Sequence, residues 1–214
     1  MRDRVVILGG GGHAKVVIDI LEQAGGFDIA GFISPDARPE EICGYRRLGS
    51  DAILEEILRT GVQSAFVAIG DNQLRSERIA GLRRQGFTLV NAISPAATIS
   101  RYATLCTGIA VMPGAVINAG SLIQDGAIVN TNASVDHDCV IGACAHLAPG
   151  ATLAGWVHLG DGAFLGTGAS VIPKISIGRW TTVGAGAVVV SDLPDHVVAM
   201  GVPATIHRST REIA

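Results

Sequence analysis

The sequence is poor in aromatic side chains, in charge and in long apolar runs. Only 4% of its 214 residues are aromatic and 16% are charged, with a formal net charge of −3 and a pI near 6.0. Lysine and arginine are scattered, so the sequence lacks the basic patch that is typical of nucleic-acid binding. Mean hydropathy is +0.41, but no apolar run approaches the roughly 18 residues of a membrane-spanning helix. We therefore expect neither nucleic acid nor a membrane as a partner.

The start of the chain lacks the features of a secretory signal. It reads MRDRVVILGGGGHA, which is a strand pattern without the apolar core and cleavage site of a signal peptide. The four cysteines contain no C-x-x-C pair, which favours reduced thiols over a disulfide or a zinc site. These features predict a cytoplasmic protein.

Residues 1–90 alternate between strand and helix patterns. RVVILG, FDIAGFIS, SAFVAIG and FTLVNAI are short, β-branched or aromatic runs that predict strands. HAKVVIDILEQAG, DAILEEILRTG and NQLRSERIAGLRRQG separate them and have the composition and spacing of helices. Such alternation predicts an α/β domain with a Rossmann-like parallel sheet.

A different pattern begins near residue 91. Seventeen aliphatic residues occupy every sixth position from Ile93 to Val189, and alanine often stands two residues before them. A period of six fits neither an α-helix nor a simple strand, but a hexapeptide repeat gives one strand and one turn of a parallel β-helix. We predict this β-helix over residues 91–190, followed by a closing segment over residues 191–214.

A glycine-rich loop follows the first predicted strand. Gly9, Gly11 and Ala14 match the G-x-G-x-x-G/A pattern between a strand and a helix. Backbone amides at a helix start can hold an anion, which favours phosphate or nucleotide contact. The alternatives are a tight turn without a ligand and a redox dinucleotide site.

His13 stands at the mouth of the loop. It could contact a ligand there, or it could be a solvent-exposed residue at the start of the helix, and the sequence does not distinguish these two roles.

Two further positions lie where α/β sheets bind ligands, at the carboxyl ends of strands. Gly70 ends the third predicted strand in AIGDNQLR, and Asp36 follows the second in FISPD. Both are candidates for a second contact region, with Asp36 in the place of a ribose-binding acid.

The stretch VNTNASVDHDCVIG places His137 between Asp136 and Asp138. Imidazole titrates near neutral pH and can serve as a general base, and a carboxylate can orient it. Neighbouring residues of an extended chain point to opposite faces, so Asp138 can reach His137 only through a turn. The sequence leaves open which aspartate supports the histidine.

The spacing of the histidines bears on two questions: whether they bind a metal ion, and whether a single subunit can bring them together. His137, His146 and His158 are nine and twelve residues apart, which lacks the close pair of the β-helical carbonic anhydrases and disfavours a metal site. In the left-handed β-helices of hexapeptide-repeat acyltransferases, which this repeat resembles, three hexapeptides make one coil, so positions nine residues apart are implied to lie on opposite sides of the β-helix. If His137 and His146 share a site, that site lies between two subunits.

Several motifs occur together over nearly the whole chain. They are GGGGHAK, FVAIGDNQLR, LVNAISP, NTNASVDHDCVIG, AHLAPGATLAG and GVPA. In this combination the chain resembles the nucleotide-sugar N-acetyltransferases of bacterial glycan assembly, of the bacillosamine (PglD) and perosamine types, with the sialic acid O-acetyltransferases (NeuD family) as relatives. The resemblance implies a left-handed β-helix, a homotrimer, and acetyl-CoA as cosubstrate without a metal.

The resemblance also implies roles for single residues. His137 is the implied catalytic base with Asp138 as its partner, and His146 is implied to contact the thioester or its acetyl group. The residues implied for the acetyl-CoA path are His146, Gly155, Thr167 and Ala185. The residues expected in the nucleotide-sugar pocket are Gly11, Gly12, His13, Asp36 and Gly70.

The function expected from this family is N-acetylation of the 4-amino group of a nucleotide-linked 4-amino-4,6-dideoxy sugar. GDP-perosamine is the favoured acceptor and a UDP sugar the next, for bacterial surface glycans such as the O-antigen of lipopolysaccharide. Neither Ser170 nor Cys139 has a motif base beside it, which favours direct transfer over an acyl-enzyme. O-acetylation of sialic acid or another sugar, and a non-catalytic binding or assembly module, are the alternatives.

Overall fold

The computed structural model describes residues 2–210 and divides the chain into two units at residues 95 and 96. The first unit is a Rossmann-like α/β domain and the second is a left-handed parallel β-helix, as the sequence predicts. The last part of the predicted closing segment, residues 211–214, lies outside the described residues.

The first unit is built around a sheet with the strand order β3-β4-β2-β1-β5-β6. Its strands are β1 (Asp3–Leu8), β2 (Phe27–Ile33), β3 (Glu41–Ile42), β4 (Tyr45–Gly49), β5 (Ser64–Val67) and β6 (Thr88–Leu89), followed by β7 (Ala92–Ile93). Its helices are α1 (Gly12–Ala24), α2 (Leu54–Arg59) and α3 (Asn72–Gln85), with a 3-10 turn at Asp51–Ile53. None of the helices in the described part of the chain is both long and apolar enough to cross a membrane.

The core of this unit lies along β1 and α1. Val5, Val6 and Ile7 are fully buried in succession, as expected for a central parallel strand that is covered on both faces. Val17 and Ile18 of α1 are also fully buried. The parallel pairing places the carboxyl ends of β1, β2 and β5 at one edge of the sheet.

Three details of this unit differ from the prediction. The expected closing strand is two short strands, β6 and β7, and the second predicted helix begins as a 3-10 turn. The antiparallel hairpin of β3 and β4 was not predicted. Its turn places Cys43 at φ 49° and Gly44 at φ 82°. The usual sequence signal for such a turn is Asn-Gly or Asp-Gly, and cysteine does not provide it.

The second unit consists of two-residue strands that form three sheets. The first sheet contains β10 (Ala110–Val111), β13 (Ile128–Val129), β16 (His146–Leu147), β19 (Phe164–Leu165) and β22 (Thr182–Val183). The second contains β8 (Thr98–Ile99), β11 (Val116–Ile117), β14 (Ser134–Val135), β17 (Thr152–Leu153), β20 (Ser170–Val171) and β23 (Val188–Val189). The third contains β9 (Thr104–Leu105), β12 (Leu122–Ile123), β15 (Val140–Ile141), β18 (His158–Leu159) and β21 (Ser176–Ile177).

Within each sheet, every one of these strands except the last pairs in parallel with the strand 18 residues further on. Val116 pairs with Ser134, for example, and Ser134 pairs with Thr152. Three hexapeptides therefore make one coil of a triangular prism, and residues 18 apart stack directly on one another.

The six-residue period forms the core of the prism. The hexapeptide aliphatic residues from Val111 to Val189 are at most 3% exposed. The alanines two positions before them, such as Ala133 and Ala145, are also fully buried. A buried aliphatic side chain contributes about 1.5–3 kcal/mol by leaving water, so the repeated stack supplies most of the stabilisation of this unit.

The described tail extends the first sheet. β24 (Val197–Met200) pairs in parallel with β22, and β25 (Thr205–Ser209) pairs with β24 in antiparallel fashion. The tail thus covers the edge that β22 would otherwise expose.

Replacing a core leucine tests this account of the prism. Leu147→Ala removes a fully buried side chain from β16, and we expect the free energy of unfolding in urea to fall by about 2–5 kcal/mol. The control Ser176→Ala changes an exposed position of β21 and should alter it by no more than about 0.5 kcal/mol. Equal losses in the two variants would contradict the account.

Candidate active site

The predicted base lies in the turn between β14 and β15. Asp138 has φ 59°, a left-handed conformation that is uncommon for a residue with a side chain. This bend places Oδ2 of Asp138 2.9 Å from Nδ1 of His137. Two neighbouring side chains that an extended chain would hold on opposite faces are therefore in contact.

Asp136, the other aspartate of the triplet, forms hydrogen bonds that fix the backbone beside His137. Oδ1 of Asp136 accepts hydrogen bonds from the N–H of His137 at 2.8 Å and from Nδ2 of Asn118 at 3.0 Å. The His137 N–H bond first, and the Asn118 bond second, lower the pKa of the Asp136 carboxyl below its ordinary value. Asp138 thus orients the imidazole, while Asp136 fixes the chain that carries it.

Two glycines in the adjoining coils make room for the pair. A Cβ on Gly155 would lie 2.5 Å from both Cε1 and Nε2 of His137. A Cβ on Gly120 would overlap Oδ1 of Asp138. Gly155, which the sequence assigned to the acetyl-CoA path, is therefore buried directly against the imidazole of His137.

The His137 geometry suits proton transfer. When Nδ1 of a neutral His137 donates a hydrogen bond to the Asp138 carboxylate, the free lone pair of the imidazole is on Nε2. The His137 side chain is 52% exposed, so a substrate can approach it. A group with this orientation and exposure can act as a general base.

His146 lies in a different environment, at the start of β16. It is buried, its Nε2 is 3.0 Å from Nδ2 of Asn130, and its ring meets that of Phe164 edge-on at 5.2 Å. Because Oδ1 of Asn130 accepts the N–H of Thr131, its Nδ2 is the group that faces His146. Nε2 of His146 is therefore the acceptor, and the imidazole is neutral with its proton on Nδ1.

One chain does not bring the two histidines together. His137 lies on the edge between the second and third sheets, and His146 lies on the first sheet, across the prism from that edge. Thr167 and Ala185 are exposed and stack on the edge between the first and second sheets. Only Gly155, among the residues assigned to acetyl-CoA, lies beside His137.

The sequence analysis missed an apolar stripe on the His137 edge. Ile172 and Val190 are 41% and 43% exposed and stack 18 residues apart, in the same column as Asp136 and Ala154. Trp156, 58% exposed, lies next to Gly155 and donates its backbone N–H to the carbonyl of His137. The available signal was an apolar residue recurring at an outward position of the repeat.

The first unit contains a cavity of about 230 Å³ at the carboxyl edge of its sheet. It is lined by Leu8, Gly9, Gly10, Gly11, Ile33, Ser34, Pro35, Asp36, Arg38, Asp51, Ile69, Leu74 and Arg78. Gly11 and Asp36 line it, whereas Gly12, His13 and Gly70 are not among its lining residues. Arg38 and Arg78, which were not predicted from the sequence, bring positive charge to a lining that also contains Asp36 and Asp51, and Arg78 is paired to Asp51.

His13 is held neutral. Its Nε2 is buried and finds no hydrogen-bond partner among the described residues. Burial, and secondly the charge of Arg75, lower the pKa of His13 to about 4. An unsatisfied buried nitrogen is costly and is a natural contact for a ligand.

Arg75 is a further residue that the sequence analysis missed. It is 1% exposed and donates to the carbonyls of Ile69 and Gly70 at 2.9 and 3.0 Å and to Oδ1 of Asn72 at 2.7 Å. Gly70 therefore helps to anchor a buried cation at the start of α3. No group of three or more His, Cys, Asp or Glu side chains that could hold a metal ion occurs within residues 2–210.

Known proteins resemble this chain both in its first unit and over nearly its whole length. The sequence profile of the PglD N-terminal domain family matches residues 4–82. PerB of Caulobacter crescentus, a perosamine N-acetyltransferase solved with CoA and GDP-perosamine, shares 51% identity at a TM-score of 0.92, covering 95% of this chain and 97% of PerB. The chain belongs to the PglD-type hexapeptide acetyltransferases.

Other members match in the same way. The acetyltransferase domain of PglB of Neisseria gonorrhoeae shares 37% identity at a TM-score of 0.92, covering 96% of this chain and 100% of that domain. Curated relatives match over shorter stretches. Galactoside O-acetyltransferase of Lactococcus lactis shares 38% identity over 56 residues, which are 26% of this chain. The chain spans 27% of that enzyme and 32% of the matching Staphylococcus aureus proteins that are named as acetyltransferases.

Filling the space under the imidazole tests the packing of the site. Gly155→Ala places a methyl group where His137 lies, so we expect acetyl transfer, measured as thiol release from acetyl-CoA, to fall about 100-fold. Gly81→Ala, in α3 with nothing closer than 4.0 Å to the added Cβ, should retain activity. Full activity of Gly155→Ala would show that His137 has another position.

The pKa of His13 predicts a pH effect on stability. Because this pKa lies below that of an unfolded histidine, the unfolded chain takes up the proton first as the pH falls. We expect His13 to reduce the free energy of unfolding by on the order of 2 kcal/mol between about pH 7.5 and about pH 5. His13→Gln should remove that part of the pH dependence in urea titrations, and an unchanged pH dependence would contradict the assignment.

Proposed function

We propose that this protein is an acetyl-CoA-dependent N-acetyltransferase that acts on the 4-amino group of a nucleotide-linked 4-amino-4,6-dideoxy sugar, with GDP-perosamine as the favoured acceptor. The observation that carries the proposal is the contact between Nδ1 of His137 and Asp138 on an exposed edge of the prism. It occurs in a chain that is 51% identical to PerB, which was solved with CoA and GDP-perosamine.

In the proposed reaction, the sugar amine attacks the thioester carbon directly. The C–N bond forms, and the proton leaves the amine for Nε2 of His137. Asp138 stabilises the imidazolium through Nδ1. Collapse of the tetrahedral intermediate breaks the C–S bond, and the thiolate takes up the proton from His137. The sum is an amide and free CoA, with no acyl-enzyme.

The acetyl-CoA path is proposed to lie between two subunits of a homotrimer. The exposed stripe of Ile172 and Val190 continues along the His137 edge, where it suits the apolar part of the pantetheine arm. The small exposed residues Thr167 and Ala185 lie on another edge, which a neighbouring subunit can present to that stripe. His146 across the prism favours the same arrangement, since only a second subunit can place it near His137.

The His146 and Asn130 pair is proposed to contact the acetyl carbonyl. Both side chains carry N–H groups, and the edge-on ring of Phe164 leaves the pair in partly apolar surroundings. Hydrogen-bond donors in such surroundings stabilise developing negative charge more strongly than donors in water. His146 is therefore assigned to the thioester and His137 to the amine.

The nucleotide sugar is proposed to bind in the cavity of the first unit. The start of α1 at Gly11 presents backbone amides to an anion, and Arg38 and Arg78 add positive charge for a diphosphate. His13 supplies a neutral ring nitrogen close to the loop. Asp36 can accept two hydrogen bonds from the N1–H and N2–H2 groups of guanine, whereas uracil offers one N–H, and this difference favours GDP over UDP.

Each domain has a proposed task. Residues 1–90 are proposed to hold the nucleotide sugar, with Gly11 and Asp36 lining its cavity and with Gly12, His13 and Gly70 close in sequence to residues that line it, and residues 91–190 are proposed to hold acetyl-CoA and the base. Residues 191–214 close the β-helix. We also propose that the reaction occurs in the cytoplasm and supplies acetylated sugars for a surface glycan such as O-antigen.

An acceptor panel tests the proposed function. Purified protein is mixed with acetyl-CoA and with GDP-perosamine, a UDP-4-amino-4,6-dideoxy sugar or free sialic acid, and thiol release is followed. We expect turnover on a nucleotide amino sugar, highest with GDP-perosamine. His137→Ala should lower kcat about 10²- to 10⁴-fold because the general base is lost.

The matched control is His158→Ala, which removes an exposed histidine from β18 and should leave turnover unchanged. Turnover on sialic acid alone would replace the proposal with sugar O-acetylation. No turnover on any acceptor would leave a binding or assembly module as the alternative.

A further inference from the structure

A buried serine spans the turn that carries the proposed base. The hydroxyl of Ser121, in the preceding coil, donates to the carbonyl of Asp136 at 2.7 Å and accepts the N–H of Cys139 at 3.1 Å. These two backbone groups flank the His137 and Asp138 dipeptide on either side. One hydroxyl therefore fixes both ends of the turn.

Ser121 interrupts an apolar column of the prism. It is 1% exposed and occupies the inward position two residues before Ile123. The residues that stack with it at 18-residue intervals are Ala103, Cys139, Val157 and Ile175. A hydroxyl in such a column is costly unless it is hydrogen-bonded, and this hydroxyl is used both as donor and as acceptor.

We propose that Ser121 is a positioning residue for the base. Its hydrogen bonds to the backbone of Asp136 and Cys139 keep the side chains of His137 and Asp138 in contact. This inference rests on the proposed function, because the position of His137 matters for turnover only if His137 is the base. Asp138 needs its left-handed φ of 59° to reach Nδ1 of His137. Without the Ser121 hydroxyl, the carbonyl of Asp136 and the N–H of Cys139 lose these two hydrogen bonds.

The tail contains a second clamp of the same kind. Oγ1 of Thr181 donates to the carbonyl of Pro194 at 2.6 Å and accepts the N–H of Val197 at 3.3 Å. These two partners flank the dipeptide of Asp195 and His196, and His196 also has a left-handed φ, of 58°. Thr181 is fully buried like Ser121, but its turn leads into β24 of the first sheet. It is therefore a matched control away from the His137 edge.

The experiment compares Ser121→Ala, Ser121→Thr and Thr181→Ala with the unmodified full-length protein. The first measurement is kcat and KM, at one fixed pH, with the acceptor that the panel identifies. We expect Ser121→Ala to lower kcat about 10- to 100-fold, because small misplacements of a catalytic group have effects of that size. The KM for acetyl-CoA should not change.

The other two variants separate positioning from general damage. Ser121→Thr keeps a hydroxyl, as Thr181 has, and should restore at least part of kcat. Thr181→Ala should leave kcat unchanged, although it removes a clamp of the same chemistry.

Three results would overturn the proposal. They are an unchanged kcat in Ser121→Ala, an equal loss of kcat in Thr181→Ala, and a loss in Ser121→Thr as large as that in Ser121→Ala. A crystal structure of Ser121→Ala decides the matter even if the unmodified protein proves to have no acetyltransferase activity. Separation of His137 Nδ1 from Asp138 supports the clamp, and an unchanged 2.9 Å contact overturns it independently of the proposed function.

Discussion

The structure of the second unit depends on the register of its coils. Because residues 18 apart stack directly on one another, each side chain at a corner is limited by what the coil above and the coil below place there. Gly120 and Gly155 have no side chains, which leaves space for the side chains of Asp138 and His137. The hydroxyl of Ser121 holds the turn that carries this pair. The proposed active site is thus made from three consecutive coils, although its reactive dipeptide is local in sequence.

The same register explains how the two histidines differ. His137 falls at a corner, where its side chain is about half exposed, whereas His146 falls at the start of a strand and is buried against Asn130 and Phe164. A corner suits proton transfer from an arriving substrate, and a buried neutral imidazole suits hydrogen bonding to a polarised carbonyl. The separation of nine residues, half a coil, places the two histidines on opposite sides of one prism, which is the basis for proposing a site shared between subunits.

Periodicity was sufficient to predict the two units, because the change from alternating strands and helices to a strict six-residue period reflects the core directly. His137 was also predicted from its motif as the candidate base. The choice between Asp136 and Asp138 was not, since it depends on the φ angle of a single residue. Asn130, Ser121 and Arg75 were missed because their partners are set by stacking or by buried carbonyls, and neither leaves a local pattern. The β3–β4 hairpin was missed because Cys43 does not resemble a turn residue.

The most direct test of the central claim is the tautomer of His137 in the unmodified protein. Long-range proton–nitrogen correlation spectra of protein with ¹⁵N-labelled histidine, recorded at a pH where the ring is neutral and assigned with His137→Ala, report which nitrogen carries the proton. The account predicts the proton on Nδ1, against Asp138, and an unprotonated Nε2 available to the amine. A proton on Nε2 would contradict it, because that nitrogen could not then serve as the base.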